Sequence, residues 1–233
     1  MVSQYKGFRF PREIISHCVW LYHRFTLSFR EIELLMAARG IEVTYETIRT
    51  WCAKLGPEYA RRLRRHQPQS GDTWQLDEVF VKIRGVRKYL WREVDQHGNI
   101  LDILIQSKRD GKAATRFFRT LLKKPGRQPR VLITDKLASY RVAHRTTMST
   151  AEHRQNKYLN NRAENSHQPA RQRERAMKGF RSVGSAQRFL AAFSRISPHF
   201  RPPRHRMTAT DCRTEMAARF QVWDQVTEVT LSA

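Results

Sequence analysis

The sequence predicts an α/β core preceded by an all-α domain, and three observations carry that prediction. Apolar residues recur at helical spacing between residues 11 and 56, and three stretches between 73 and 107 are then rich in β-branched, aromatic and aliphatic residues. A four-residue apolar repeat follows, made of Ala113/Ala114, Phe117/Phe118 and Leu121/Leu122, and reads as an amphipathic helix. The continuous run Val131-Leu132-Ile133 then reads as a strand buried on both faces.

The first domain is expected over residues 1–58 and holds three helices. Pro11 suits a first helical position, and Ile14, Ile15, Cys18, Val19 and Tyr22 share one face. Ser28 with Glu31 makes a capping box for a second helix, whose Ile32, Leu35 and Met36 precede a stop at Gly40. Thr44 caps a third helix with Ile48, Trp51, Cys52 and Leu55 facing inward. The two short helices joined by Arg39-Gly40-Ile41-Glu42-Val43 have the look of a helix-turn-helix. In that motif the second helix enters the major groove, so Tyr45, Glu46, Arg49 and Thr50 are the expected base-contacting positions. A plain three-helix bundle with a solvated face is the competing reading. A basic linker is expected over 59–71, with Arg61, Arg62, Arg64 and Arg65 either touching phosphates or simply solvating a helix end.

The core is expected over 72–200. Stretches 73–83, 88–95 and 100–107 are rich in β-branched, aromatic and aliphatic residues, and good turn sequences separate them at Arg84-Gly85 and Gln96-His97-Gly98-Asn99. They form a three-strand antiparallel meander. A helix follows Asp110-Gly111 and stops at Pro125-Gly126, a fourth strand covers 131–135, and helix, short strand and helix cover 137–180. A βββαβ order with an acid beside the first and fourth strands is the arrangement of the ribonuclease-H-like fold. Ser185 begins a further amphipathic helix. Residues 201–233 supply a basic connector, Arg201 to Arg206, and a last helix whose Met216, Phe220 and Trp223 suit docking on the core or on another subunit.

Three short strings hold the candidate chemistry. They are Trp74-Gln75-Leu76-Asp77-Glu78, Val131-Leu132-Ile133-Thr134-Asp135-Lys136 and Asn160-Asn161-Arg162-Ala163-Glu164-Asn165. Ligands of open sheets gather at the carboxyl ends of parallel strands, which is where Asp135 falls. Converging carboxylates at Asp77, Asp135 and Glu164 would hold two Mg²⁺ ions, with Mn²⁺ as a substitute, for in-line phosphoryl chemistry. Glu78 alternates to the opposite strand face and reads as structural. His167, one turn from Glu164, is expected near the metals, as a phosphate contact, a proton carrier or a hydrogen-bond partner of a ligand. Arg171, Arg175 and Lys178 fall on the helical face of Glu164 and suit DNA phosphates. Pro169 predicts a kink or restart near Gln168. Glu152 and Glu174 are the rival acids for the third position.

Composition points to nucleic acid independently. Lys plus Arg number 44 against 21 Asp plus Glu, a net charge of +23 over 233 residues, which a polyanion would neutralise. No long apolar run or basic amphipathic helix suggests a membrane, and Met1 to Lys6 lacks the apolar core of a signal peptide. A cytoplasmic protein acting on DNA is the expectation. Cys18, Cys52 and Cys212 are too scattered for a disulfide framework or a zinc ribbon.

The three strings and their order resemble the Asp-Asp-Glu (DDE) transposases of bacterial insertion sequences, the IS-six family above all. The block Lys157-Tyr158-Leu159-Asn160-Asn161-Arg162-Ala163-Glu164-Asn165-Ser166-His167 is the most specific part of the likeness. The resemblance implies a retroviral-integrase-like core with Asp77, Asp135 and Glu164 as catalytic metal ligands. It also implies nicking at the element's ends, joining of 3′-hydroxyls to target DNA, and a replicative route through a cointegrate. Terminal inverted repeats and target DNA would be the partners, engaged by a homo-oligomer in a synaptic complex. The 28 residues between Asp135 and Glu164 are fewer than is usual in that family, and the shortening falls before the specific block. A ribonuclease-H-like nuclease that cuts without joining, and a DNA-binding regulator with a dead core, are the alternatives.

Overall fold

The computed structural model describes residues 4–123, 128–156, 158–203 and 207–229. The expected helix stop at Pro125-Gly126, Lys157 of the specific block and Arg204 to Arg206 of the connector lie outside the described residues. The chain divides into two compact units, Met1–Gln67 with Ala191–Ala233, and Pro68–Leu190.

In the first unit the helices are α1 (Arg12–Arg24), α2 (Phe29–Ala37) and α3 (Tyr45–Leu63). The Ser28–Glu31 capping box forms in both directions, and the Thr44 hydroxyl accepts the Thr47 N–H. Gly40 turns the chain out of α2 with φ of 71°, a conformation that glycine reaches without strain. Helix α3 runs past residue 59, where a linker was expected, because its apolar spacing continues: Tyr59, Ala60 and Leu63 are buried in line with Ile48 and Leu55. Gly56 lets α3 lie close to α1, since a Cβ there would stand 2.9 Å from the His23 ring.

The last helix, α9 (Ala209–Thr227), whose apolar face was expected to dock on the core or on another subunit, belongs to this unit. Its apolar residues meet aromatic side chains that the first three helices leave for it. Trp223 packs edge-on against Tyr59 at 5.3 Å, and Phe220 against Trp20 at 5.4 Å. Burying such rings is among the larger apolar gains available to a small helical unit.

The second unit is built on a five-stranded sheet. Its strands are β1 (Thr73–Ile83), β2 (Val86–Asp95), β3 (Ile100–Gln106), β4 (Val131–Thr134) and β5 (Glu152–Gln155), ordered β3-β2-β1-β4-β5. The first three are antiparallel, and β4 and β5 run parallel to β1. This mixed sheet with its βββαβ order is the ribonuclease-H-like core expected above. Helix α4 (Gly111–Leu122), capped by Asp110, buries Ala113, Ala114, Phe117, Phe118 and Leu121 against Trp74, Trp91 and Leu132 of the sheet. Helix α5 (Ala138–Thr147) adds Tyr140 and Ala143 to the same cluster.

The segment after β5 carries the third acid. It forms α6 (Asn161–Ser166) and α7 (Gln168–Ala176), broken at His167. Pro169 stands in the first turn of α7, where its missing N–H costs nothing, so the predicted restart is observed. Helix α8 (Val183–His199) begins in the core unit and ends in the helical one.

Candidate active site

Strand β1 continues to Ile83, but β4 pairs with it only at Thr73, Trp74 and Gln75 before ending at Thr134. Beyond that point no strand pairs with β1 on that side until the single parallel bridge between Ile83 and Phe180, and Asp77 lies in this stretch beside Asp135 on the turn after β4. A cleft of about 580 Å³ opens at this place, with Asp77, Asp135 and Glu164 all in its wall. The Asp135 carboxylate is fixed from behind by the Leu137 N–H at 2.9 Å, an Asx turn at the strand end. Asn160 donates its amide to the Leu76 carbonyl at 2.9 Å, tying the start of α6 to the strand immediately before Asp77.

Glu78 departs from expectation. Its side chain is only 1% exposed and it shares the cleft, with a carboxylate oxygen within 4.8 Å of those of both Asp77 and Asp135. Alternation along β1 does send it to the other face, but the missing neighbour strand lets both faces reach the same gap. Arg109, on the loop before α4, donates to Glu78 and also reaches Asp135 at 3.4 Å. Among the described residues this is the one cluster of three such groups close enough to share a metal ion, and Glu164 is not part of it. Glu164 lines the same cleft and acts on Asp77 through its charge.

The electrostatics reflect a crowded acidic site. Burial, then the charge of Asp135, push the Asp77 carboxyl up to about 6, and Glu164 adds to the effect. Burial also lifts Glu78, to about 8, against the opposing pull of Arg109. Hard oxygen donors gathered this closely fit a small divalent cation such as Mg²⁺.

The floor of the site holds residues that sequence reasoning missed or placed otherwise. Arg92 faces Asp77 across the β1–β2 ladder, is 1% exposed, and donates to the Ser166 carbonyl at the end of α6. Its burial lowers its pKa to about 10. His167 is also 1% exposed, with Nε2 3.6 Å from Asp77 Oδ2. Burial first, then the charges of Arg92 and Arg171, hold it well below the ordinary histidine value. It is therefore a neutral imidazole against Asp77, and the expected phosphate contact is corrected: the ring is covered. β2 buries every residue from Leu90 to Asp95, and the run Leu90-Trp91-Arg92-Glu93-Val94-Asp95 carries no alternation that would have marked Arg92.

Of the cationic ridge expected on the face of Glu164, Arg171 lines the cleft and Arg175 is exposed on α7. Lys178 lies past the end of α7 with φ of 55°, so the break at His167 and the end of the helix remove it from that face. The rival acids stand elsewhere. Glu152 is paired with Arg154 on the exposed β5, and Glu174 accepts the Lys82 N–H at 3.3 Å.

In the helical unit Glu46, Arg49 and Thr50 are exposed on the first turns of α3. Arg49 is paired with Glu46 at 2.7 Å, and the half-buried Tyr45 ring lies under the Arg30 guanidinium. Arg61 and Arg62 share Glu58, and Arg62 also reaches Glu228 at 2.7 Å, which makes Arg62 part of the scaffold. Arg65 is exposed and Arg64 half-buried.

The family described as the DDE domain matches residues 71–202. The transposase for insertion sequence-like element IS431mec of Staphylococcus aureus is 30% identical over 187 residues, which is 78% of this chain and 82% of that protein. The Staphylococcus aureus transposase for insertion sequence element IS257 in transposon Tn4003 is 29% identical over the same shares. Among solved structures, the catalytic domain of Mos1 mariner transposase overlaps 76% of this chain and 92% of its own, at 10% identity and a TM-score of 0.40. A domain match over more than half the chain, and relatives matched along most of their length, place this protein in the DDE transposases of bacterial insertion sequences, resembling the IS-six family.

Proposed function

We propose that this transposase binds the ends of its insertion sequence, nicks the DNA, and joins the freed 3′-hydroxyls to target DNA at the Asp77–Asp135–Glu164 cleft. The observation that carries the reading is the meeting of Asp77 and Asp135 where β1 runs past the end of β4, with Glu164 lining the same cleft. These three residues would hold two Mg²⁺ ions, for which Mn²⁺ substitutes. When bound, the ions would stabilise the attacking and leaving oxygens of an in-line phosphoryl transfer.

The chain's own residues do the rest. Arg92 and Asn160 fix α6, and so Glu164, relative to the strand bearing Asp77. Neutral His167 fills the space behind Asp77 and keeps bulk water from its rear. Arg171 at the cleft wall and Arg175 on α7 take the phosphates of the scissile strand, contacts that position DNA without reading its sequence. The exposed turn of α3 with Arg49 and Thr50 reads the element's ends, and Arg61, Arg64 and Arg65 follow the backbone nearby. The net charge of +23 supports DNA as the partner, both as terminal inverted repeats and as target. A homo-oligomer would bring two ends together, and the protein would work in the bacterial cytoplasm. None of the described helices is long and apolar enough to cross a membrane.

The test is a strand-transfer assay with a labelled terminal oligonucleotide. Asp77→Asn, Asp135→Asn and Glu164→Gln should each abolish nicking and joining while DNA binding survives, because each removes a charge with little change of shape. Cleaved but never joined product from the wild type would make the protein a nuclease. Joining by Glu164→Gln with Glu78→Gln inert would move the third ligand to Glu78.

A further inference from the structure

We propose that the β1–β2 hairpin is a further DNA-contacting element, and that Phe80 on its outer half stacks an unpaired base of the DNA end held at the cleft. This rests on the reading that the cleft acts on DNA ends. Phe80 lies three residues beyond Asp77 on the part of β1 that runs past β4 and is 52% exposed. Single exposed apolar residues are ordinary on protein surfaces. What sets this one apart is its company. The Arg87 guanidinium carbon stands 5.2 Å from the centre of the ring and that of Arg171 stands 6.0 Å from it. Arg171 also lines the cleft, so the ring sits at the cleft's margin.

The hairpin itself is basic and fixed. Lys82, Arg84 and Arg87 are exposed, and no acid follows Glu78 on either strand until Glu93. Strand pairing continues to the tip at Ile83–Val86, where Arg84 and Gly85 adopt φ of 50° and 77° for a tight two-residue turn. The Arg84 N–H donates to the Phe180 carbonyl at 3.2 Å, and the Lys82 N–H to Glu174, so the arm is braced on the segment that follows α7 and on α7 itself.

An exposed ring between two guanidinium groups, on a braced cationic arm, has the chemistry of a single-strand site: the ring takes a base face and the cations take the flanking phosphates. Every base offers a π-face, so this contact tolerates any sequence. A base within a duplex has both faces covered, so the fit is to nucleotides unpaired at the end.

The test uses the full chain in chelator, so that DNA stays intact, with two probes made from the element's end. One is blunt, and the other carries a short single-stranded extension with 2-aminopurine as its first unpaired base. The wild type should quench the 2-aminopurine on binding. Phe80→Trp should keep the quenching, and Phe80→Leu should lose it while weakening the extended probe by about 5- to 150-fold. Binding of the blunt probe by Phe80→Leu should change by less than about twofold. Undiminished quenching by Phe80→Leu, or equal weakening on both probes, overturns the stacking role. Failure of the wild type to bind either probe overturns the underlying reading of a DNA-end-binding cleft, and the two failures are thus told apart.

Discussion

Replacing Glu78 by Gln should stabilise the metal-free core, by an amount that grows with pH. Burial raises the Glu78 carboxyl from 4.5 to about 8 in the folded protein. Between those values the folded state keeps a proton that the unfolded chain has already released. The folded state then binds more protons, so stability falls as pH rises from 4.5 to about 8. At 1.36 kcal/mol per pH unit the loss is ~1 kcal/mol at pH 5, ~3 kcal/mol at pH 7 and approaches ~5 kcal/mol above pH 8.5. With the side chain 1% exposed, solvent screens little of it. Gln has the shape of the protonated acid and cannot ionise, so the variant escapes the loss. Native-state hydrogen exchange of the β1 amides in chelator, on wild type and variant at pH 5, 7 and 8.5, reads the difference within this unit alone. Titrating groups remote from the cleft cancel in that comparison. A difference that is flat across pH would show that Glu78 is already ionised in the fold, and the electrostatic account of the cleft would be wrong.

Chemistry should proceed with Mg²⁺ or Mn²⁺ and fail with Ca²⁺, whose larger and looser shell suits the cleft less well; full nicking in chelator would exclude metal-dependent cleavage altogether. At pH 8 and 100 times its dissociation constant, Mg²⁺ should protect the same β1 amides by ~2.7 kcal/mol, and Asp77→Asn should remove most of that gain. Arg49→Ala should lose about 1–3 kcal/mol of preference for the element's ends if α3 reads bases, measured by competition against random DNA. Retained preference would place specificity elsewhere. Arg171→Ala with Arg175→Ala should weaken specific and random DNA alike and flatten the salt dependence by about one counterion per lost contact.

Most of the fold was legible because its signals are local. The Ser28–Glu31 box, the four-residue repeat of α4 and the apolar run of β4 each act within a dozen residues, and each produced the expected element. Pro169 announced the break between α6 and α7 for the same reason. What failed depended on partners remote in sequence. Nothing in Met216 to Trp223 says whether that face meets the core or the first helices; the answer lies in Trp20 and Tyr59, whose rings are left uncovered by α1 to α3. Lys178 was assigned to a helical face by counting residues, and counting cannot see that two helix ends intervene.

The acidic site shows the same division more sharply. Asp77, Asp135 and Glu164 were found through short strings, and the structure brings all three to one cleft. Glu78 was set aside by the rule that neighbours on a strand point to opposite faces, and the rule holds here. Its consequence changes because β4 stops at Thr134 while β1 runs on to Ile83, a mismatch that no property of residues 74 to 83 encodes. Where a strand loses its neighbour, two faces share one edge, and an acid that should be structural becomes the third member of a cluster. Arg109 then holds Glu78 and Asp135 together. A cation that enters the cluster competes with that guanidinium for the same oxygens. Glu78 and Asp135 are therefore the two acids through which metal and Arg109 are coupled, and Glu78→Gln probes that coupling while leaving the proposed metal ligands in place.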